Sequence, residues 1–196
     1  MPDALIVIDV QNDFCPGGSL PVPEGDLVIP ILNQYLAGAA SAGIPIFASR
    51  DWHPPDTHHF IAHGGIWPPH CVQGTPGANF HADLRLPPST VIVTTGDNRE
   101  DNGYSAFEGH LANGETLERA LHEHGVTRVY VGGLATDYCV LHTVVDACHA
   151  GFVAVYLQDA SRAVEVQPGD GARAEESMLA VGAVAGTLAE FHPSSA

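Results

Sequence analysis

Cys139 lies near the end of the run GGLATDYCV (132–140), at the head of a stretch with helical periodicity. A thiol at a helix N-terminus sits among unpaired N–H donors and the positive end of the dipole. Both favour the thiolate, and both can stabilise an oxyanion. The plainer fate is a buried structural cysteine, which is the reading for Cys148 on the same stretch. Asp9 closes the apolar run Leu5–Ile8 and is followed by Val10-Gln11-Asn12-Asp13-Phe14. A carboxylate directly after a buried strand costs desolvation free energy unless it caps a turn, is paired, or takes part in chemistry. Asp51-Trp52-His53 closes a second apolar run, and His58, His59, His63 and His70 follow it. Residues two apart in an extended segment point the same way, so Asp51 and His53 can reach one ion. A carboxylate with several imidazoles suits a divalent metal; a merely polar loop is the plainer alternative. Phe14, Leu20, Trp67, Tyr104 and Tyr138 fall in strand-end loops, where together they can wall a pocket for a flat ring.

These side chains need a frame, and the hydrophobic pattern supplies one. Short apolar runs predict strands at 5–8, 44–48, 91–93, 128–131 and 152–156, with a last short one through 183–187. Helical periodicity predicts helices at 26–42, with Asp26 as N-cap, and at 114–124, 138–150 and 170–181. Strands that are apolar throughout and separated by helices imply an α/β fold whose parallel sheet is covered on both faces. Ligands of such sheets bind beyond the carboxyl ends of the strands, where Asp9, Asp51, Thr95 and the Gly132–Cys139 turn all fall. The segment 51–88, dense in Pro, Gly and His, reads as a functional loop. A single domain over 1–192 is expected, with 193–196 a frayed tail.

Composition removes several classes. With 45% hydrophobic and 15% charged residues among 196, the chain is not a disordered polymer. The net charge is −16, and all seven basic residues are arginines: Arg50, Arg85, Arg99, Arg119, Arg128, Arg162 and Arg173. Without a basic stripe neither nucleic acid nor an anionic membrane is an expected partner. No apolar run reaches membrane-spanning length, and the N-terminus lacks a basic region and a cleavage site. Cys15, Cys71, Cys139 and Cys148 show no CxxC spacing and read as reduced thiols, so a cytoplasmic location is expected.

Five ordered segments carry a resemblance: IDVQNDF (8–14), SRDWHPPD (49–56), WPPHCVQGTPGA (67–78), DNGYSAFEG (101–109) and GGLATDYCV (132–140). In that order they resemble the isochorismatase-like cysteine hydrolases, and within them the nicotinamidase/pyrazinamidase branch. The resemblance implies a three-layer α/β/α sandwich on a roughly six-stranded parallel sheet. It also implies hydrolysis of an aromatic carboxamide, nicotinamide to nicotinic acid and ammonia, a step of NAD salvage. Position by position, it makes Asp9 the general base and acid and Cys139 the nucleophile. The N–H groups of Ala135 and Cys139 become the oxyanion hole, with a cis Leu134–Ala135 peptide. Asp51, His53 and His70 match metal ligands, and His59, in competition with His58, matches a fourth. Zn2+ is the first expectation for the ion, Fe2+ or Mn2+ the others. Phe14, Leu20, Trp67, Tyr104 and Tyr138 match the ring pocket, and a homo-oligomer is compatible with the resemblance. One position departs: the family's catalytic lysine falls on Thr95, and this chain contains no lysine. A threonine hydroxyl is expected to reach Asp9 instead, with Arg99 as an alternative source of positive charge. The result expected is a slower enzyme with an alkaline optimum. The alternatives are a same-fold hydrolase of another amide, carbamoyl or ureido group, and a pseudoenzyme that binds ligand without turnover. Isochorismatases proper lack the nucleophilic cysteine, so Cys139 argues against their chemistry.

Overall fold

A computed structural model describes residues 1–195. The strands are β1 (Asp3–Ile8), β2 (Ile46–Asp51), β3 (Val91–Thr95), β4 (Arg128–Leu134), β5 (Val153–Arg162) and β6 (Val184–Gly186). The helices are α1 (Val28–Ala42), α2 (Leu117–Glu123), α3 (Leu141–His149) and α4 (Asp170–Ala180). All strand pairs are parallel, in the order β3-β2-β1-β4-β5-β6. The architecture is the expected three-layer α/β sandwich on six strands.

Alternation along β1 shows why the sheet is buried on both sides. Leu5 and Val7 enter one apolar cluster, with Leu32, Tyr35 and Leu36 of α1. Ala4, Ile6 and Ile8 enter the other, with Leu121, Val144 and Met178 from the remaining helices. Both sets are fully buried, so the strand reads as continuous rather than alternating apolar sequence. In α1 the buried positions Val28, Ile29, Leu32, Tyr35, Leu36 and Ala39 form one stripe at helical spacing. Gly43 ends the helix in the left-handed conformation (φ 69°), its N–H returning to the carbonyls of Ala39 and Ala40.

Several boundaries differ from the sequence reading. Residues Gly25–Leu27 form a 3-10 turn, and Asp26 makes no side-chain cap to α1. Helix α2 begins later, at Leu117, because the Thr116 side chain caps it by accepting from the Arg119 N–H. Strand β5 runs six residues past Tyr156, through polar positions that break the apolar pattern. The expected helix over 138–150 splits into a π-helical turn, Thr136–Val140, and α3 from Leu141. At the chain end, Ser194 exchanges two hydrogen bonds with Asp3, each within 3.0 Å. Ala196, part of the tail expected to fray, lies outside the described residues. No helix among the described residues is long and apolar enough to cross a membrane, and all four cysteines are free.

The order places β2 on one side of β1 and β4 on the other, so the chain connections leave in opposite directions there. That is the switch point at which open α/β sheets bind ligands. The two strands approach closely: Gly133 has φ 134°, and a Cβ there would collide with the Ile8 carbonyl.

Candidate active site

Four strand ends deliver the site. At the end of β1 the backbone of Asp9 turns through the left-handed region (φ 48°), uncommon outside glycine. Its carboxylate is buried and accepts a 2.6 Å hydrogen bond from Ser49 Oγ, and the Cys139 thiol lies within 4.8 Å of it. Burial, followed by repulsion from Asp51, holds Asp9 well above the ordinary carboxylate range. Cys139 is buried in the π-helical turn after β4. Burial, then the charges of Asp9 and Asp51, push its thiol well up. The expected lowering by a helix N-terminus is therefore reversed. The α-helix proper starts two residues later, and two carboxylates from neighbouring strands outweigh any dipole. At rest a neutral thiol stands beside Asp9. Leu134–Ala135 is cis, as expected, and Ala135 lines the cavity beside Cys139.

Asp51 and His53 leave β2 on one side, as their spacing predicts, and the long loop folds back to bring His59 and His70 to them. His53 Nε2 is 3.3 Å and His70 Nε2 3.8 Å from Asp51 Oδ2. The His53 ring centroid lies 4.8 Å from that of His59 and 5.0 Å from that of His70. Of His58 and His59, it is His59 that lies buried beside His53. His58 is half-exposed and paired with Glu100 at 2.9 Å. His63 is exposed and takes no part.

The donor set fits a metal ion. His53 Nδ1 lies 3.0 Å from the Gly96 carbonyl, and His70 Nδ1 2.8 Å from that of Pro68. A carbonyl only accepts, so each Nδ1 carries the ring proton and each Nε2 presents a lone pair. Those lone pairs face the Asp51 carboxylate, and acceptor facing acceptor is relieved by a metal ion or, at His53, by a proton. His53 Nε2 is fully buried without a hydrogen-bond partner. Ligand atoms of His53, His59 and His70 all lie within 4.8 Å of one another. Burial, then its histidine neighbours, pulls His59 down to about 4, so it stays neutral as a ligand must. Asp51 stays below the ordinary carboxylate value because the histidines outweigh its burial.

Phe14, Leu20, Trp67, Tyr104 and Tyr138 all line one cavity of about 320 Å³, its mouth included, together with Asp51, His59, His70 and Cys139. The Trp67 indole N–H donates to Tyr104 Oη at 2.8 Å, locking two of the walls together. Val164, from the segment after β5, completes the wall; no sequence signal marked it.

Thr95 does not reach Asp9. Its hydroxyl lies 3.0 Å from Asp51 Oδ1 and 3.1 Å from the Arg50 carbonyl. Register explains this, because Thr95 pairs across the ladder with Asp51 while Ser49 holds Asp9. Arg99 does not supply the missing charge either: it is exposed and faces Asp56 at 3.9 Å.

Three further residues hold the site. Gln11 is fully buried; its Nε2 donates to the carbonyls of Asp51 and Ala78, and its Oε1 accepts the Asp51 N–H, all at 2.8 Å. Asp13 accepts the Cys71 N–H at 2.8 Å, next to His70. The Asn102 side chain stands beside His59, where it opposes the downward pull on that ring. The segment 9–13 thus carries Asp9 and ties down the stretches that bear Asp51 and His70. Gln11→Ala should weaken divalent-metal binding about 10- to 100-fold in a chelator competition, with the far-UV spectrum retained. An unchanged affinity would remove Gln11 from this role.

A buried thiol–carboxylate pair beside metal-competent imidazoles, at the switch point of a parallel sheet, is the equipment of a hydrolase. Residues 3–190 match the isochorismatase domain model, and the chain belongs to that family. The nicotinamidase of Escherichia coli K12 is 37% identical over 206 residues, covering 97% of each chain. The zinc complex of Pyrococcus horikoshii pyrazinamidase superposes with a TM-score of 0.88 at 43% identity, covering 96% of this chain and 100% of that one. PnC1 of L. infantum in complex with nicotinate gives a TM-score of 0.84 at 35% identity, covering 98% and 96%.

Proposed function

We propose that the protein is a metal-dependent nicotinamidase, acting in the cytoplasm and hydrolysing nicotinamide to nicotinic acid and ammonia. The observation that carries this reading is the meeting of Cys139, Asp9 and the imidazole cluster at one aromatic cavity. The E. coli relative is a nicotinamidase, and the structural neighbours hold zinc and nicotinate, which supports the substrate and the metal.

Asp9, beside the thiol, accepts its proton, and Cys139 Sγ attacks the carboxamide carbon. The N–H groups of Ala135 and Cys139 receive the developing oxyanion. Asp9 returns the proton to the amide nitrogen, the C–N bond breaks, and ammonia leaves a thioester on Cys139. Asp9 then takes a proton from water, which attacks the thioester and releases the acid, and the proton restores the thiol. Asp51, His53, His59 and His70 would hold the zinc ion, which when bound supplies Lewis acidity toward the pyridine nitrogen.

Ammonia release across a panel tests this reading. Nicotinamide and pyrazinamide should be hydrolysed well, and benzamide, which lacks the ring nitrogen, poorly. Faster release from a ureido or carbamoyl compound would assign the site to that chemistry instead.

The absence of lysine carries its own prediction. A unit charge at 4 Å is worth about 4 kcal/mol at an effective dielectric of 20, and no lysine or arginine lines the cavity at Cys139 to supply it. A thiol raised by burial and two carboxylates ionises only at higher pH, so the rate should climb toward alkaline pH. Thr95→Lys should raise the rate near neutrality and move that profile down. A slower variant with an unmoved profile would show that the Thr95–Asp51 contact matters more than the missing charge.

A further inference from the structure

Five of the seven arginines have a carboxylate within 4.0 Å. Arg50 is half-buried and has none among the described residues, although the chain carries a net charge of −16. Strand alternation sends its side chain to the face opposite Asp51, away from the catalytic cavity. There it lines a separate groove of about 580 Å³, open solvent included, at the outer edge of the sheet. The two cavities share no lining residue. The Arg50 guanidinium stacks 4.2 Å over the Trp52 ring, and its Nε donates to Thr94 Oγ1 at 3.2 Å. The terminal N–H groups have no protein acceptor among the described residues. Trp52, Ile92, Leu111 and Ala112 give the groove apolar walls. Asp97 also lines it but pairs with His110, at 3.4 Å, rather than with Arg50.

We infer that this groove binds a small organic monocarboxylate, its carboxylate forked by Arg50 and its apolar body against Trp52 and Leu111. A planar guanidinium fixed on an indole is pre-organised for bidentate carboxylate recognition. A half-buried cation lacking a counter-ion is completed by an anion, which fits the desolvation that pulls Arg50 below its ordinary value. Asp97 disfavours a dianion such as phosphate, and the apolar walls favour an organic body.

The chain has two tryptophans, so its ¹H–¹⁵N spectrum holds two indole signals, separable by Trp67→Phe. Benzoate titrated into the protein should move the Trp52 signal saturably; acetate and inorganic phosphate should move it less. Arg50→Gln should weaken that response about tenfold or more, as expected for a lost charge-assisted fork. Arg50→Lys, which keeps the charge without the fork, should weaken it less but measurably, and serves if the glutamine variant does not fold. A Trp52 signal that stays fixed to about 50 mM benzoate, or that responds equally in both variants, overturns the inference.

Discussion

Asn in place of Asp9 is expected to lower amide turnover by about three orders of magnitude or more while leaving fold and metal content unchanged. The carboxylate is buried, accepts a hydrogen bond from Ser49 and stands beside Cys139, so an amide of the same shape can occupy its place. What it cannot do is take the thiol proton and return it to the leaving nitrogen. General acid–base catalysis alone contributes about 10²- to 10⁴-fold, and here one group serves both half-reactions. Steady-state ammonia release and a metal assay on the same sample measure both sides of the claim. Retained turnover in Asp9→Asn would move the proton transfer to another group.

Loss of the metal should have a comparable effect. Chelation, or His53→Ala, should abolish turnover, and added zinc should restore the wild type but not the variant. His53 is fully buried, and its Nε2 has no hydrogen-bond partner to replace an ion. Glycine at position 96 belongs to the same construction, since its φ is 60° and a Cβ there would strike the His53 ring. Metal affinity should also fall on acidification, because a protonated imidazole has no lone pair to donate. Burial works against protonation of His53, but Asp51 outweighs it and raises His53 above the ordinary imidazole value. On acidification metal loss should therefore begin at His53, before the two histidines whose values are pulled down take up protons. His59, held down to about 4, should contribute only in deeper acid. Affinity measured by competition from pH 8 to 5 checks the sign, and an affinity that rises on acidification would refute it.

Strand-borne chemistry was legible because alternation is local. Asp51 and His53 share a side by spacing alone, and the same rule would have placed Ser49 with them. Asp9 and Cys139 were legible as strand-end residues before any partner was known. What was not legible depends on contacts between distant segments. His59 is distinguished from His58 only by the path of the loop: the His58 N–H is tied to the Arg99 carbonyl, while His59 turns inward against Asn102. The sign of the Cys139 shift required knowing that Asp9 and Asp51 arrive beside it from two other strands. Thr95 was expected at Asp9 and lies at Asp51, because the β2–β3 register, invisible in a single sequence, pairs those two residues. Gln11 reads as an ordinary polar loop residue until its three bonds to the Asp51 and Ala78 backbone are seen.

In the covalent route, Cys139 Sγ is the atom that takes the acyl group. Cys139→Ala removes Sγ and leaves Asp9, the imidazole cluster and the aromatic walls in place. Nicotinic acid and ammonia should be quantified together for the zinc-loaded variant and the wild type, with nicotinamide binding followed on the same samples. The wild type should yield the two products in equal amounts, and the variant should bind nicotinamide while forming neither. Equal product formation by Cys139→Ala would contradict the covalent route and the reading of this site.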